Sequence, residues 1–275
     1  MEENIITSVQ NTRVKHVVAL QQKSSLRREE GLFVVEGQRE IEHCIACGYE
    51  VEELFFCPSR SGILGNLESL GIPNIIEVSP TVYEKMAYRE STEGIIAIAR
   101  CKKHDLSNLS PLTSHHSPLY IVLESVEKPG NLGAILRTAE AAHVDAVIVC
   151  DPLTDLYNPN LIRASIGGVF CVPTAVCSSK ECIAFLKEHQ VRILTAQLQD
   201  SYDYYDYDMR HATAIVMGTE STGLSQQWRD AADVHIRIPM LGRLDSLNVS
   251  VSAAILMYEA VSQRNKVYQH PDAKM

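Results

Sequence analysis

The chain has 275 residues, of which 45% are hydrophobic, and its formal net charge is −9. This length favours two domains, and the composition excludes an intrinsically disordered protein. No apolar run approaches the roughly 18 residues that a membrane span needs, and the N-terminus has no signal-peptide pattern, so we expect a soluble, cytoplasmic protein.

The first part of the chain alternates helix-like and strand-like segments. Helices are predicted near residues 11–23, 38–47 and 80–88, and strands at 32–35, 51–57 and 95–99. This alternation predicts a small α/β domain over residues 1–103. The polar, turn-rich segment 104–117 is typical of an interdomain linker.

Basic side chains cluster near the start of this domain. Residues 13–28 hold no acid and five strong bases, namely Arg13, Lys15, Lys23, Arg27 and Arg28. Such a patch is typical either of a local RNA-binding surface or of a solvated helix face. Because the chain as a whole is acidic, an RNA partner would have to be held through local contacts.

The eight cysteines do not predict a metal site. Cys44 and Cys47 have the spacing of half a zinc site or a redox pair, but no second CxxC or HxxxH complements them. Their segment has the pattern of an amphipathic helix. Most of the other cysteines lie in apolar runs, as expected of buried free thiols in a reducing compartment.

Residues 118–275 predict a second α/β domain. Apolar runs at 119–125, 146–150, 169–176, 191–196, 213–218 and 234–238 predict strands, and 131–143, 159–167, 179–189, 225–231 and 246–263 predict helices. Continuous rather than alternating apolar strands favour a parallel sheet that is covered on both faces. Right-handed crossovers between such strands predict a doubly wound sheet, which binds ligands at the carboxyl ends of its strands.

The loop after the first of these strands contains Pro129-Gly130, followed by Asn131, a residue suited to cap a helix. Gly133 removes a side chain from the first turn. Arg137 then lies on an otherwise apolar helix. Its guanidinium is either the end of a structural salt bridge or an anion-binding group.

Two further loops have unusual residue sets. Gly218 and Gly223 bracket a turn that lets a ligand approach the backbone, and Glu220 at its centre suits hydroxyls, amines or a cation. The spacing matches neither a Walker A loop nor a dinucleotide fingerprint. In the last loop, Ser246 alone is explained as a helix cap. With Asn248 and further serines before an apolar helix, however, it indicates a ligand cradle.

In order and spacing, these loops resemble the three motifs of the SpoU (TrmH-like) branch of the SPOUT RNA methyltransferases. The matches are NxGxxxR from Asn131, GxExxGL from Gly218 and IPMxGxxxSLNVSVSAA over 238–254. Residues 11–41 are also similar to the substrate-binding domain that precedes the catalytic domain in many family members. Lys128 before Pro-Gly and His143 after the first helix depart from the family's pattern.

The resemblance implies an S-adenosylmethionine-dependent RNA methyltransferase with a trefoil knot in its parallel sheet. The implied catalytic residues are Asn131, Arg137, Glu220, Ser246 and Asn248. The implied cofactor-binding residues are Gly218, Ile238, Met240 and Leu247. The resemblance also implies a homodimer with its active site at the subunit interface.

The implied substrate is a ribose 2′-hydroxyl, with ribosomal RNA preferred over transfer RNA because of the N-terminal domain type. A base methyltransferase, a tRNA ribose methyltransferase and a catalytically silent RNA-binding factor stay open as alternatives. Arg163, before a pair of glycines, either meets RNA or the cofactor or belongs to a plain helix end.

Overall fold

The protein is described by a computed structural model of residues 5–61, 71–88, 93–109 and 117–268, without the side chains of 266–268. It divides into two compact units. The first comprises Met1–Lys103 with Asp155–Cys171, and the second comprises His104–Thr154 with Val172–Met275. Within the described ranges, no helix combines the length and apolar character that crossing a bilayer requires.

The first unit is a small sheet with helices packed on it. Its first elements are α1 (Thr12–Gln22), α2 (Ser24–Glu30), β1 (Leu32–Glu36), α3 (Gln38–Ala46), β2 (Val51–Phe56), β3 (Asn74–Glu77), α4 (Pro80–Met86) and β4 (Ile95–Arg100). The strand order is β1-β4-β2-β3, in which only β2 and β3 run parallel. The predicted first helix is present as α1, and a second helix, α2, follows it. Extended backbone at Lys23 separates the two. The short strand β3 was not predicted.

Residues 155–171 pack in the first unit, although the sequence predicts a second domain that includes them. They contain α6 (Pro159–Ala164) and α7 (Gly168–Cys171). A guanidinium nitrogen of Arg27 lies 2.6 Å from Asp155 Oδ2, and the ring of Tyr157 stacks on Phe33 with centroids 4.3 Å apart. A buried ion pair and aromatic stacking therefore hold the segment in this unit.

The predicted strand over 169–176 is wrong in its first half. Its first residues form α7, and the strand β7 spans only Thr174–Cys177. Pro173 separates the two because it has no amide proton for a sheet ladder. Phe170 packs instead against the rings of Tyr49 and Phe33, with centroids 5.1 and 5.7 Å apart.

The second unit is a parallel sheet covered by helices, as predicted. Its elements are β5 (Leu119–Glu124), α5 (Pro129–Ala141), β6 (Ala146–Cys150), β7, α8 (Ser179–Glu188), β8 (Arg192–Ala196), β9 (Tyr202–Asp203), β10 (Thr213–Met217), α9 (Gln226–Ala231), β11 (Val234–Arg237) and α10 (Val249–Tyr268). The strand order is β7-β6-β5-β10-β8-β11-β9, and every pair is parallel. All residues of β5, β6 and β10 are buried, as a sheet covered on both faces requires.

A buried carboxylate at the end of β5 ties together the elements that support the loops. Glu124 accepts a hydrogen bond from the Ser225 amide (2.8 Å), and the Ser179 hydroxyl oxygen lies 3.4 Å from its Oε1. The indole Nε1 of buried Trp228 donates to the Ser179 hydroxyl at 2.9 Å. These hydrogen bonds order the start of α9.

Two details of the first loop of this unit differ from expectation. Lys128, and not Asn131, is the N-cap of α5, with Pro129 at its first position. Asn131 is thereby inside the first turn, and its side chain makes a tertiary contact instead of a capping bond. His143, noted above as a departure from the family's pattern, adopts the left-handed conformation with φ of 52° that glycine favours.

Candidate active site

Glu220 is the centre of a hydrogen-bond network formed by the loops that follow β5, β10 and β11. Its Oε1 accepts from the side-chain amides of Asn131 (3.1 Å) and Asn248 (2.7 Å) and from the Val249 backbone amide (3.4 Å). Its Oε2 accepts from Lys128 Nζ at 2.7 Å. Three segments separated by up to about 120 residues of sequence thus meet at one carboxylate, because parallel strands end at a common sheet edge.

The pKa of the Glu220 carboxyl group is shifted mainly by its lysine partner. The ammonium group of Lys128 lowers the pKa of Glu220 below its usual range, and the Val249 amide and Asn131 act in the same direction. Glu220 is therefore ionised at neutral pH and is a weak proton acceptor. Glu220 is the only carboxylate among the predicted catalytic residues, and its contacts favour a role in orienting the two amides.

Hydrogen bonds to both the nitrogen and the oxygen of its side-chain amide fix the orientation of Asn248. Its Nδ2 donates to Glu220 and to Asn131 Oδ1 (3.1 Å), while its Oδ1 accepts from the amide (3.0 Å) and hydroxyl (2.6 Å) of Ser250. An amide with all these partners is preorganised. Ser246 does not join this network, since its hydroxyl donates to Asp245 at 3.4 Å.

The loop after β10 is compact because of its two glycines. A Cβ at Gly218 would lie closer than 3.0 Å to the carbonyl oxygen of Gly223 and the amide of Leu224. Gly223 has φ of 67°, which favours glycine. Amide-to-carbonyl hydrogen bonds in both directions between Thr219 and Gly223, at 3.2 and 3.1 Å, close the loop.

Beside this loop lies a cavity of about 390 Å³, within the size range of small-molecule sites. It contains all four predicted cofactor-binding residues and Ser246 in its wall. The residues that line it include Gly218, Glu220, Arg229, Ile238, Met240, Ser246, Leu247 and Leu256. Two buried polar atoms of this wall, Gln197 Oε1 and Arg229 Nε, have no hydrogen-bond partner within the described part of the chain.

Residues 118–258 match the family model of the SpoU rRNA methylases. The chain belongs to the SpoU rRNA methylase family. Residues 11–97 additionally match the MRM3-like substrate binding domain. These two matches cover the two regions in which the sequence resembles the family.

Full-length relatives agree with the family assignment. The chain is 27% identical to the 23S rRNA (guanosine(2553)-2′-O)-methyltransferase RlmP of Bacillus subtilis, over 92% of this chain and 97% of that protein. It is 33% identical to the 23S rRNA (guanosine-2′-O-)-methyltransferase RlmB of Vibrio vulnificus, over 74% and 83%. A crystal structure of the AdoMet-bound rRNA methyltransferase of Sinorhizobium meliloti superimposes with a TM-score of 0.84 at 27% identity, over 93% of this chain and 96% of that one.

The cavity of this SpoU family member fits S-adenosylmethionine in size and chemistry. The glycine turn lets a ligand approach the backbone, and apolar side chains such as Ile238 and Met240 can cover an adenine ring. The unpartnered atoms of Gln197 and Arg229 offer an acceptor and a cationic donor. Neither residue was singled out from the sequence, because only the fold brings the end of β8 and α9 to the same cavity.

Arg137 lies apart from the Glu220 network. It is six residues beyond Asn131 on α5, which corresponds to about 9 Å along the helix axis. Its side chain is exposed, and it makes no hydrogen bond or ion pair with the residues that the structure describes. A single copy of the chain therefore does not bring Arg137 into contact with the other predicted catalytic residues.

The predicted RNA-binding residues differ in whether their side chains are exposed and so able to contact RNA. Arg13, Lys15, Lys23 and Arg28 are exposed on the first unit, as is Arg163. Arg27 is only 4% exposed and is bonded to Asp155 and to the Leu20 and Gln21 carbonyls, which leaves it unable to meet RNA. Its role is structural, and Arg27 is not part of the proposed RNA-binding surface.

Arg163 lies in an unfavourable setting for a phosphate contact. It borders a small cavity of about 130 Å³ that is also lined by Glu36, Glu40 and Glu93. Burial raises the pKa of Glu40, and the nearby charge of Glu93 acts in the same direction. Three carboxyl groups around the same cavity make it an unfavourable place for a phosphate.

The Lys128–Glu220 pair predicts a pH-dependent stability. The lowered pKa of Glu220 stabilises the folded state above the unfolded value of about 4.3, and this contribution is lost as the pH falls through the folded value. We expect Lys128→Met to lower the melting temperature at pH 7, and this effect to shrink as the pH falls through the folded pKa of Glu220, because the protonated carboxyl no longer attracts the ammonium group. Thermal melts at a series of pH values from 7 downward measure the difference, with Lys180→Met as an exposed-lysine control. An effect of Lys128→Met that does not change with pH would contradict the assignment.

Proposed function

We propose that this protein is an S-adenosylmethionine-dependent methyltransferase that methylates a ribose 2′-hydroxyl in ribosomal RNA. The observation that carries the proposal is the network in which Glu220 orients Asn131 and Asn248 at the edge of the cofactor-sized cavity. The relatives that act on ribosomal RNA ribose support the substrate class. We assign residues 1–103 to substrate binding, 104–117 to the linker and 118–275 to catalysis, except that residues 155–171 pack in the first unit.

The reaction needs an activated methyl group and a positioned hydroxyl. The chemistry supplied by bound S-adenosylmethionine is an electrophilic methyl group on a sulfonium. The backbone at Gly218, Ile238 and Leu247 would hold the cofactor, with Met240 nearby. Asn131 and Asn248 then present fixed amides for hydrogen bonding to the ribose. Because methyl transfer is an in-line displacement, this positioning accounts for a large part of the rate.

Arg137 has a different role from that of a general base. A guanidinium stays protonated in proteins, so it cannot remove a proton from the hydroxyl. We assign it to binding the substrate phosphate or to stabilising the developing alkoxide. Its exposure and its lack of partners among the described residues support this, since a free guanidinium is available to an anionic ligand.

The experiment that tests the function compares ribose methylation maps of ribosomal and transfer RNA with and without the protein. We expect one 2′-O-methyl site in ribosomal RNA to be lost, and purified protein to restore it with S-adenosylmethionine. Mass spectrometry of the nucleosides then distinguishes sugar from base methylation. A methyl group found on a base or in tRNA would replace the substrate assignment, and cofactor binding without transfer would identify a silent RNA-binding factor.

The cofactor assignment predicts a role for Arg229. We expect Arg229→Met to weaken S-adenosylhomocysteine binding by about 10- to 100-fold, because a charge-assisted hydrogen bond to the amino-acid carboxylate is lost. Binding of 5′-methylthioadenosine, which lacks that carboxylate, should not change. Calorimetry measures both. Arg237→Met is the matched control, since Arg237 lines the same cavity but is bonded to Asp203 at 2.7 Å. Equal losses for both ligands would contradict a carboxylate contact.

We further propose a homodimer with the active site at the subunit interface. Exposed apolar side chains next to the site support it, namely Leu241, Leu244, Leu247, Val251 and Tyr258. Their number on one loop and one helix is unusual for a surface that faces only water. Because α10 packs on α5, a second copy on this face would lie beside the helix that carries Arg137.

The dimer predicts the effect of a charge on α10. We expect Val251→Asp, at a residue that is 47% exposed, to convert the dimer to a monomer and to abolish methylation, because an interface cannot bury an unpaired carboxylate cheaply. Sedimentation velocity measures the mass. Tyr205→Asp, at a residue that is 52% exposed elsewhere on the second unit, should leave a dimer. A monomeric wild-type protein would contradict the proposal.

We also infer the trefoil knot and a cytoplasmic location. Support for the knot comes from the order of the parallel strands, in which β10 lies between β5 and β8, together with the packing of α10 on α5. An experimental backbone trace through residues 213–260 tests it. Ribosomal RNA as substrate supports the cytoplasmic location, and cell fractionation tests that assignment.

A further inference from the structure

Three thiols from three elements converge on the other side of β5 from the cofactor cavity. Cys150 and Cys177 end the neighbouring parallel strands β6 and β7 and are paired in register. Cys182 lies in α8, which begins directly after β7. The Sγ atoms of all three lie within 4.8 Å of one another. Among the residues that the structure describes, this is the one group of three or more His, Cys, Asp or Glu side chains that meets this distance.

These separations suit a metal ion that binds sulfur. Zn–S bonds are about 2.3 Å long, so sulfurs that share one ion lie roughly 3.8–4.0 Å apart by the geometry of such bonds. Sulfur separations of up to 4.8 Å are within about 1 Å of this arrangement. Cys150 and Cys182 are buried and Cys177 is partly exposed, so an ion would have a route of entry and an open position on the Cys177 side.

The thiolate is the form of cysteine that binds metal. Cys177 directly precedes Ser178, the N-cap of the ten-residue helix α8, whose amide groups attract negative charge. Deprotonating all three thiols without a cation would be costly, since Cys150 and Cys182 are buried.

Two carboxylates border the cluster and are already engaged in hydrogen bonds. Asp151 accepts from the hydroxyl (2.6 Å) and amide (3.1 Å) of Ser179, and Glu181 accepts from the hydroxyl (2.6 Å) and amide (2.8 Å) of Ser178. They therefore add negative charge near the thiols without competing to ligate. This negative surrounding raises the attraction for a divalent cation.

We propose that Cys150, Cys177 and Cys182 form a binding site for a single thiophilic metal ion, with Zn²⁺ as the ion it takes. Three thiolates would bind the ion and a water molecule would take the fourth position on the exposed side. Binding releases up to three protons to solvent, one from each thiol that was protonated, and involves no change of oxidation state. The ion would join β6, β7 and α8 and so stabilise the second unit. This proposal is independent of the methyltransferase assignment.

The experiment uses the reduced, full-length protein after removal of metal by a chelator, with Zn²⁺ for affinity and Co²⁺ for spectroscopy. We expect one equivalent of Zn²⁺ to bind, a thiolate-to-Co²⁺ charge-transfer band, and a higher melting temperature with Zn²⁺. Cys177→Ser changes a partly exposed thiol by one atom, so it tests the site with little effect on folding. It should weaken Zn²⁺ binding roughly 100-fold and remove most of the band.

The chain offers a matched control in its other thiol group. Cys44, Cys47 and Cys171 lie in the first unit, where the Sγ atoms of Cys47 and Cys171 are 2.8 Å apart. The variant Cys44→Ser/Cys47→Ser/Cys171→Ser should retain the Zn²⁺ site. The proposal is overturned if wild type binds no stoichiometric Zn²⁺, if Cys177→Ser binds as tightly as wild type, or if only the control variant loses the ion.

Discussion

Arg137→Ala is expected to lower the turnover of ribose methylation by about 10²- to 10³-fold, the size of effect seen when one group that stabilises a developing oxyanion is lost. The reason is that a ribose hydroxyl is a very weak acid, so the charge that develops on its oxygen needs a fixed cation. Arg137 is exposed on α5 and is free of partners among the described residues. Cofactor affinity should stay unchanged, because Arg137 does not line the cavity. Single-turnover assays and calorimetry measure the two quantities.

Two variants distinguish this role from a general loss of charge. Arg137→Lys should recover only part of the rate, since an ammonium group cannot reproduce a bidentate guanidinium contact. Arg192→Ala, which removes an exposed arginine elsewhere in the second unit, should retain full turnover. Near-normal turnover of a folded Arg137→Ala protein would refute the assignment.

Gly218→Ala is expected to abolish detectable cofactor binding and to lower stability by roughly 1–3 kcal/mol, the usual cost of inserting a methyl group into packed structure. The added Cβ would overlap the backbone of Gly223 and Leu224, which are part of the same closed turn. Neither neighbour is a flexible side chain, so the turn has to open. That opening displaces the backbone that is proposed to hold the cofactor, which makes this a larger effect than loss of one side-chain contact.

A second glycine in the same region supplies the control. A Cβ at Gly242 would meet no atom within 4 Å, so Gly242→Ala should bind cofactor and melt as wild type does. Equilibrium binding of S-adenosylhomocysteine and thermal melts compare the two variants. Wild-type affinity in Gly218→Ala would show that the turn does not form the cradle.

Much of the second unit was predictable because its strands are continuous apolar runs. Such runs are stable only when buried on both faces, so the parallel sheet and its helices followed from pattern alone. The predicted cofactor-binding residues share one cavity because the loops that follow parallel strands meet at one edge of the sheet. The length of α10 and the helical turn α7 were less predictable, because local pattern does not separate a short buried strand from a helical turn.

The residues whose roles the sequence did not predict correctly are those whose interaction partners are distant in the chain. Arg27 lies in a basic segment that is typical of an RNA-binding patch. Its guanidinium is nevertheless bonded to Asp155, 128 residues later in the chain, and to two backbone carbonyls. Lys128 was noted only as a departure from a motif, although it is the main cause of the lowered pKa of Glu220. No local signal distinguishes a paired charge from a free one, since pairing depends on the fold.

The sequence alone was sufficient for the two-domain α/β organisation, the three ligand loops and the family whose motifs they carry. These properties depend on the burial of apolar runs and on short-range residue spacing, both of which can be read along the chain. The tertiary structure was needed for the Glu220 network, the cavity with Gln197 and Arg229 in its wall, the packing of residues 155–171 in the first unit, and the Cys150–Cys177–Cys182 cluster. Each of these arises where segments far apart in sequence meet, and such meetings are set by the sheet order and helix packing.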